Sequence, residues 1–221
     1  MSFDKIIEYI SIFLALMLVL PIHEFAHGFA AVKSGDITPK ICNRYTLNPF
    51  AHFDLYGLLC FVLARFGWAK PMPVNPNNFK NYKRGCFWVS IAGVLANYLL
   101  AFVAYPLLIL SFYVPQFGYF TSVLQLTLYY SFSMSLSFAV FNLIPVYPLD
   151  GFRLIDVFAK KRGKIYRFLR YYGIYVLYVF FALSIFADIT NVYQLDILGN
   201  FLSIVVGYIS KPITYFWGLI F

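Results

Sequence analysis

The chain is short of charge, of cysteine and of histidine. Charged residues make up 12% of its 221 positions, and only nine of these are acids. Soluble domains carry about a quarter charged residues, so a surface built mainly to face water is excluded. The three cysteines, Cys42, Cys60 and Cys86, show no paired spacing, which excludes a disulfide framework or a zinc ribbon. The N-terminal residues lack the basic cluster of a cleavable signal; Asp4, Lys5 and Glu8 lead straight into an apolar run. There is no internal repeat, low-complexity tract or linker. What is abundant is apolar: 62% of residues are hydrophobic and 22% aromatic. The expected class is an all-α membrane protein, a polytopic bundle of about four to six spans with no room for a large soluble domain.

Charge placement organises the bundle. Of 17 Lys and Arg, 15 fall in two blocks, residues 33–84 and 153–170. Between the blocks, Gly85 to Leu149 is a stretch of 65 residues without Asp, Glu, Lys or Arg. That length fits two spans and a turn, and the turn is expected near Tyr113–Gly118, where Pro115 and Gly118 sit. Two spans return the chain to its starting side. Both basic blocks therefore share a face, which the positive-inside rule makes cytoplasmic. The net charge of +8 is thus read as topology and headgroup contact, and no nucleic-acid partner is expected. Expected spans are 6–32, 87–113, 121–149 and 171–189. A last apolar stretch, 200–221, either spans or kinks at Lys211-Pro212. The run Leu58–Ala64 is too short to span and reads as a re-entrant or interfacial part of a partly extended cytoplasmic loop. Phe and Tyr are expected to face lipid and its interfaces.

One cluster has chemistry. His23-Glu24-Phe25-Ala26-His27 is an HExxH motif closing the first apolar run. Histidines four apart share a helix face and can reach one metal ion, with the intervening glutamate placed to take a proton from water. A catalytic zinc usually has three protein ligands. The extended soluble-protease pattern would need His at position 33, which is Lys. Asp4, Glu8, Asp188 and Asp196 belong to the far face, and Asp36 and Asp54 to the first basic loop. Asp150 differs. It closes the third expected span just after Pro145 and Pro148, whose broken backbone is tolerated at membrane depth only where it lines protein or water. That sets it at a depth similar to the histidines.

The pair HExxH and Asn142-x-x-Pro145-x-x-Pro148-x-Asp150-Gly151 resembles the site-2 protease family of intramembrane zinc metalloproteases. Gly93-Val-Leu-Ala-Asn97 resembles the family's G-P-x-x-N segment, with Val94 where proline is usual. Leu47-Asn-Pro-Phe-Ala-His52-Phe-Asp54 resembles a small bacterial and archaeal branch without an obvious PDZ domain. The resemblance covers roughly residues 15 to 155, in the family's order. It implies Zn2+ held by His23, His27 and Asp150, Glu24 as general base, and cleavage of a substrate's transmembrane segment near the cytosolic side of a cell membrane.

Blander readings stand beside these. The histidines can be polar residues bonded to neighbouring helices, although ionisable groups at that depth are costly without a function. Asp150 can pair with Arg153 at i+3. Asn97 and Asn142 can glue spans together or position a substrate backbone. His52 can be a loop residue, a supporting group beside the metal ligands, or a transient ligand. The rival to a protease is a non-enzymatic metal-binding membrane protein, a transporter or a pseudoprotease chaperone. A transporter has no use for the glutamate, and a pseudoprotease would have lost it or a ligand. The sequence leaves substrate and oligomeric state open.

Overall fold

The computed structural model describes residues 2–54, 56–57 and 69–221. Among them lie eight α-helices and three single 3-10 turns: α1 Phe3–Ser34, α2 Thr38–Ile41, α3 Tyr82–Ser111, α4 Tyr119–Leu143, α5 Asp150–Phe158, α6 Lys164–Tyr171, α7 Gly173–Thr190 and α8 Ile197–Gly218. Five of these, α1, α3, α4, α7 and α8, are long and apolar enough to cross a membrane. No strand occurs among the described residues, only an isolated bridge between Phe53 and Ala69. The segment Leu58–Ala64, expected to be re-entrant, lies outside the described residues.

Helices α1, α3 and α4 form the centre of the bundle. Their shared interface is built from small residues: Ser11 and Ala15 of α1, Ala101 and Ala104 of α3, Ser131, Ser135 and Ala139 of α4, all buried. Lipid supplies no hydrophobic drive between helices, so close backbone approach through small side chains is what holds such a core. Large apolar residues point outward instead, including Leu14, Leu18, Leu99 and Leu107. Helix α8 closes one flank: Ile213 packs with Ala101 and Leu136, and the Trp217 indole N–H donates to the Phe102 carbonyl at 2.9 Å.

One expectation needs correction, and one open alternative is decided. The third span does not run to residue 149. Helix α4 stops at Leu143, residues 144–149 are irregular around a cis Tyr147–Pro148 bond, and Asp150 opens the new helix α5. Pro145 and Pro148 remove backbone donors and forbid a continuous helix there. The last apolar stretch does not break at Lys211-Pro212; α8 continues through Pro212 to Gly218. One missing hydrogen bond inside a helix is tolerated when the flanking turns are intact.

At the basic end of the bundle, a segment from Ala69 to Lys80 crosses α1 as a strap. The Arg44 guanidinium donates to the Lys70 carbonyl, and the Lys70 N–H to the His52 carbonyl at 2.8 Å. The Lys80 N–H reaches the Ser34 carbonyl at 2.9 Å. Asp36, fully buried, is the main anchor. Its carboxylate accepts from the Asn75 N–H at 2.7 Å, the Asn78 amide at 2.8 Å and the Thr38 N–H at 3.0 Å, and also from the Thr38 hydroxyl. Burial alone would push this carboxyl up; the hydrogen bonds outweigh it and hold the group below its ordinary value. A depressed folded pKa stabilises the fold fully above the unfolded value of about 3.9, and that stability is lost as pH falls through the folded value. Asp36→Ala should therefore lower thermal stability in detergent at neutral pH, by roughly 2–3 kcal/mol. The deficit relative to the parent chain should shrink below about pH 4. Parallel melting curves at pH 7 and pH 3 check this.

Candidate metal centre

His23 and His27 lie one turn apart on α1 and are each 3% exposed. Pro21 precedes them inside the helix without ending it. Their Nε2 atoms are 3.0 Å apart. Asp150, at the first turn of α5, brings its Oδ2 to 3.0 Å from His27 Nε2 and 3.3 Å from His23 Nε2. The three ligand atoms form one buried group. For a tetrahedral ion with bonds of about 2.0 Å, neighbouring ligand atoms sit about 3.3 Å apart, so the triangle has the size such an ion needs.

Electrostatics lead the same way. His27 Nδ1 is 2.7 Å from the Val89 carbonyl of α3. A carbonyl only accepts, so Nδ1 carries the proton and Nε2 presents its lone pair to the group. Asp150 Oδ2 is buried without a hydrogen-bond partner. Lone pairs from two imidazoles and a carboxylate, crowded together away from water, are satisfied together by a cation. Nitrogen and oxygen donors of this kind suit zinc. Asp150 Oδ1 also lies 3.5 Å from Arg153 Nη1, so the i+3 pair exists but uses the other carboxylate oxygen.

Glycines make the approach possible. A Cβ on Gly93 of α3 would fall 2.5 Å from His27 Nε2 and 2.5 Å from His23 Cε1, so any side chain there would intrude on the ligand atoms. A Cβ on Gly151 would fall 2.2 Å from the Leu143 carbonyl oxygen. Only glycine lets α5 start against the end of α4 and carry Asp150 to the histidines.

Glu24 follows His23 and stands in i,i+3 register with His27. Its Oε2 accepts the Met72 N–H at 2.6 Å, and the Met72 side chain packs on Gly28 one turn further along α1. The strap therefore crosses the helix at the motif. A cavity of about 310 Å3 opens beside the centre, lined by Met72, Val89 and Arg153 among others. Each of these three touches Glu24, His27 or Asp150 directly.

The remaining sequence candidates fall elsewhere. Asn142, near the end of α4, donates to the Phe138 carbonyl of its own helix at 3.0 Å. Asn97 is fully buried on α3, one turn beyond Gly93, and its side-chain amide has no partner among the described residues. His52 stands outside the converging group; its Nε2 lies 2.7 Å from the Thr46 carbonyl, which ties it to loop backbone. Sequence reading missed Met72 and Val89, which act through main-chain atoms that no side-chain pattern reveals.

The family model for Peptidase family M50 matches residues 119–186, a range that includes Asn142 to Gly151 and leaves the HExxH helix outside it. A relative in Bacillus subtilis (strain 168), "Putative zinc metalloprotease YwhC", is 38% identical over 145 residues, covering 65% of this chain and 66% of that protein. The chain is thus similar to peptidase family M50 over these residues. The alignment spans just under two thirds of that relative's length. No solved structure matches this chain. The five long apolar helices agree with the multi-pass membrane character of an M50 protein.

Proposed function

We propose that the chain is an intramembrane zinc metalloprotease that hydrolyses peptide bonds within or near transmembrane segments of membrane proteins. The observation that carries this reading is the buried convergence of His23 Nε2, His27 Nε2 and Asp150 Oδ2 next to Glu24. His23, His27 and Asp150 hold the ion. When bound, zinc supplies Lewis acidity that polarises a carbonyl and makes water a stronger acid.

The rest of the work belongs to the chain. Glu24 accepts the proton of the attacking water and passes it to the leaving amine nitrogen. With Oε2 engaged by the Met72 N–H, Oε1 is the atom offered for that transfer. The Met72 bond fixes the carboxylate's orientation, and the Val89 carbonyl fixes that of His27. The cavity lined by Met72 and Arg153 is assigned as the route by which water would approach the centre. Asn142, near the end of α4, and Asn97, one turn beyond Gly93 on α3, are assigned to positioning the unwound substrate backbone. Cleavage requires local unwinding, because a helix engages its own carbonyls. Zinc determination on the detergent-purified chain, with a cleavage panel of transmembrane peptides, tests the reading. Absence of both metal and cleavage would end it.

We further propose that these helices form one integral-membrane catalytic unit in a cell membrane, with residues 33–84 and 153–170 on the cytoplasmic side. The support is the gathering of 15 of 17 basic residues in those two blocks. In a cysteine-free background, single cysteines at positions 80 and 162 should resist an impermeant thiol reagent in intact cells, and one at position 116 should react. The opposite labelling pattern would invert the topology.

A further inference from the structure

Between α1 and α3, reaching Ala26 of the HExxH turn, runs a groove of about 730 Å3. Its floor is small residues, Ala30 of α1 and Ala92 and Ala96 of α3, and its walls include Trp88 and Leu99. At the basic end it is lined by Lys33, Lys80 and Arg84, and no acidic residue lines it among the described residues. None of the three cations forms an ion pair among the described residues; Lys33 Nζ instead sits 5.6 Å from the Phe29 ring centroid. The N-terminus of α3, capped by Asn81, opens at the same end and adds the positive pole of a 30-residue helix.

We infer that this groove binds one anionic phospholipid, its phosphate held by Lys33, Lys80 and Arg84 and an acyl chain laid along α3. Length is the first argument. Arg84 to Leu99 is 16 residues, or about 22 Å of helix from the first Cα to the last. One leaflet with its headgroup layer is about 20–22 Å deep. A transmembrane substrate helix would need a groove of about 30 Å, yet α3 continues to Ser111 with the groove ending at Leu99. Charge is the second argument. Three unpaired cations over an apolar trough complement a phosphate on a hydrocarbon tail, whereas a peptide helix offers no anion at that level. Among the described residues that line the groove, none is His23, Glu24, His27 or Asp150.

Trp88 serves as the probe. In the full chain carrying Trp68→Phe and Trp217→Phe, reconstituted in phosphatidylcholine vesicles, its fluorescence is quenched by lipids with brominated chains. Brominated phosphatidylglycerol should quench with at least about a fivefold affinity advantage over brominated phosphatidylcholine. The triple substitution Lys33→Gln, Lys80→Gln, Arg84→Gln should abolish that advantage while zinc content stays at the parent level, which shows that the variant is folded. Neutralising Lys161, Lys164 and Arg167 removes the same charge elsewhere and should preserve it. Equal quenching by the two lipids overturns the site, as does an advantage lost equally in both triple variants, which would be bulk attraction. Displacement of the lipid by inorganic phosphate alone, or by a transmembrane peptide, would also overturn it, assigning the groove to a free anion or to substrate.

Discussion

Replacing Glu24 by glutamine is expected to lower peptide cleavage at least about a hundredfold while leaving zinc in place. The substitution Glu24→Gln keeps the size of the side chain and an oxygen that can still accept the Met72 N–H, so the strap should stay where it is. The amide cannot take a proton. Glu24 is outside the group of converging ligand atoms, so metal content should not follow activity. The same variant separates a protease from a transporter or a chaperone, whose work depends on metal binding or docking and would survive the substitution. One zinc determination and one cleavage assay on the two proteins suffice. Undiminished cleavage with zinc retained would mean another group is the base. The strap offers an internal comparison: Asp36→Ala should loosen residues 75–78 and weaken cleavage through stability, with the loss recovered at lower temperature, whereas the Glu24→Gln loss should persist.

How far the sequence carried the reading differs by element. Four of the five long helices, α1, α3, α4 and α7, were legible because lipid demands apolar runs, and the uncharged interval Gly85 to Leu149 marked two of them with their turn. The histidines were legible because a period of 3.6 residues puts positions 23 and 27 on one face. Asp150 was legible only as the acid beside a proline-broken backbone; that it heads a separate helix was not, because the apolar run continues from Leu143 to Leu149 and the break comes from missing donors. The continuity of α8 through Pro212 was hidden for the converse reason: a proline signals a break, and only packing on α3 and α4 shows that it is overridden. The strap and its bond to Glu24 were invisible. Met72 contributes a main-chain N–H, and Asp36, which anchors the strap, looks in sequence like an ordinary loop acid. Gly93 is visible as part of a motif, but its reason is steric and needs the imidazoles placed 2.5 Å from its absent Cβ.

Removing the Asp150 carboxylate should strip the metal. Asp150→Ala leaves His23 and His27 as the only ligands of the group, and two imidazoles on one helix hold zinc far more weakly than three ligands closing from two elements. Zinc should fall from about one per chain to under about a tenth after dialysis, and cleavage with it. Two companions locate the cause. Arg153→Gln breaks only the 3.5 Å pair to the other carboxylate oxygen and should leave zinc bound, which separates ligation from the alternative in which Asp150 exists to pair with Arg153. His52→Ala removes a buried imidazole whose Nε2 is tied to the Thr46 carbonyl; it should cost loop stability and spare the metal. Full zinc in Asp150→Ala together with loss in His52→Ala would exchange their roles. The expected pattern instead ties metal binding to the junction of α4 and α5, where two prolines end one helix and Gly151 admits the next. On that reading the N-x-x-P-x-x-P-x-D-G run is a device for turning a membrane span aside at the depth of the histidines and delivering one carboxylate oxygen to them.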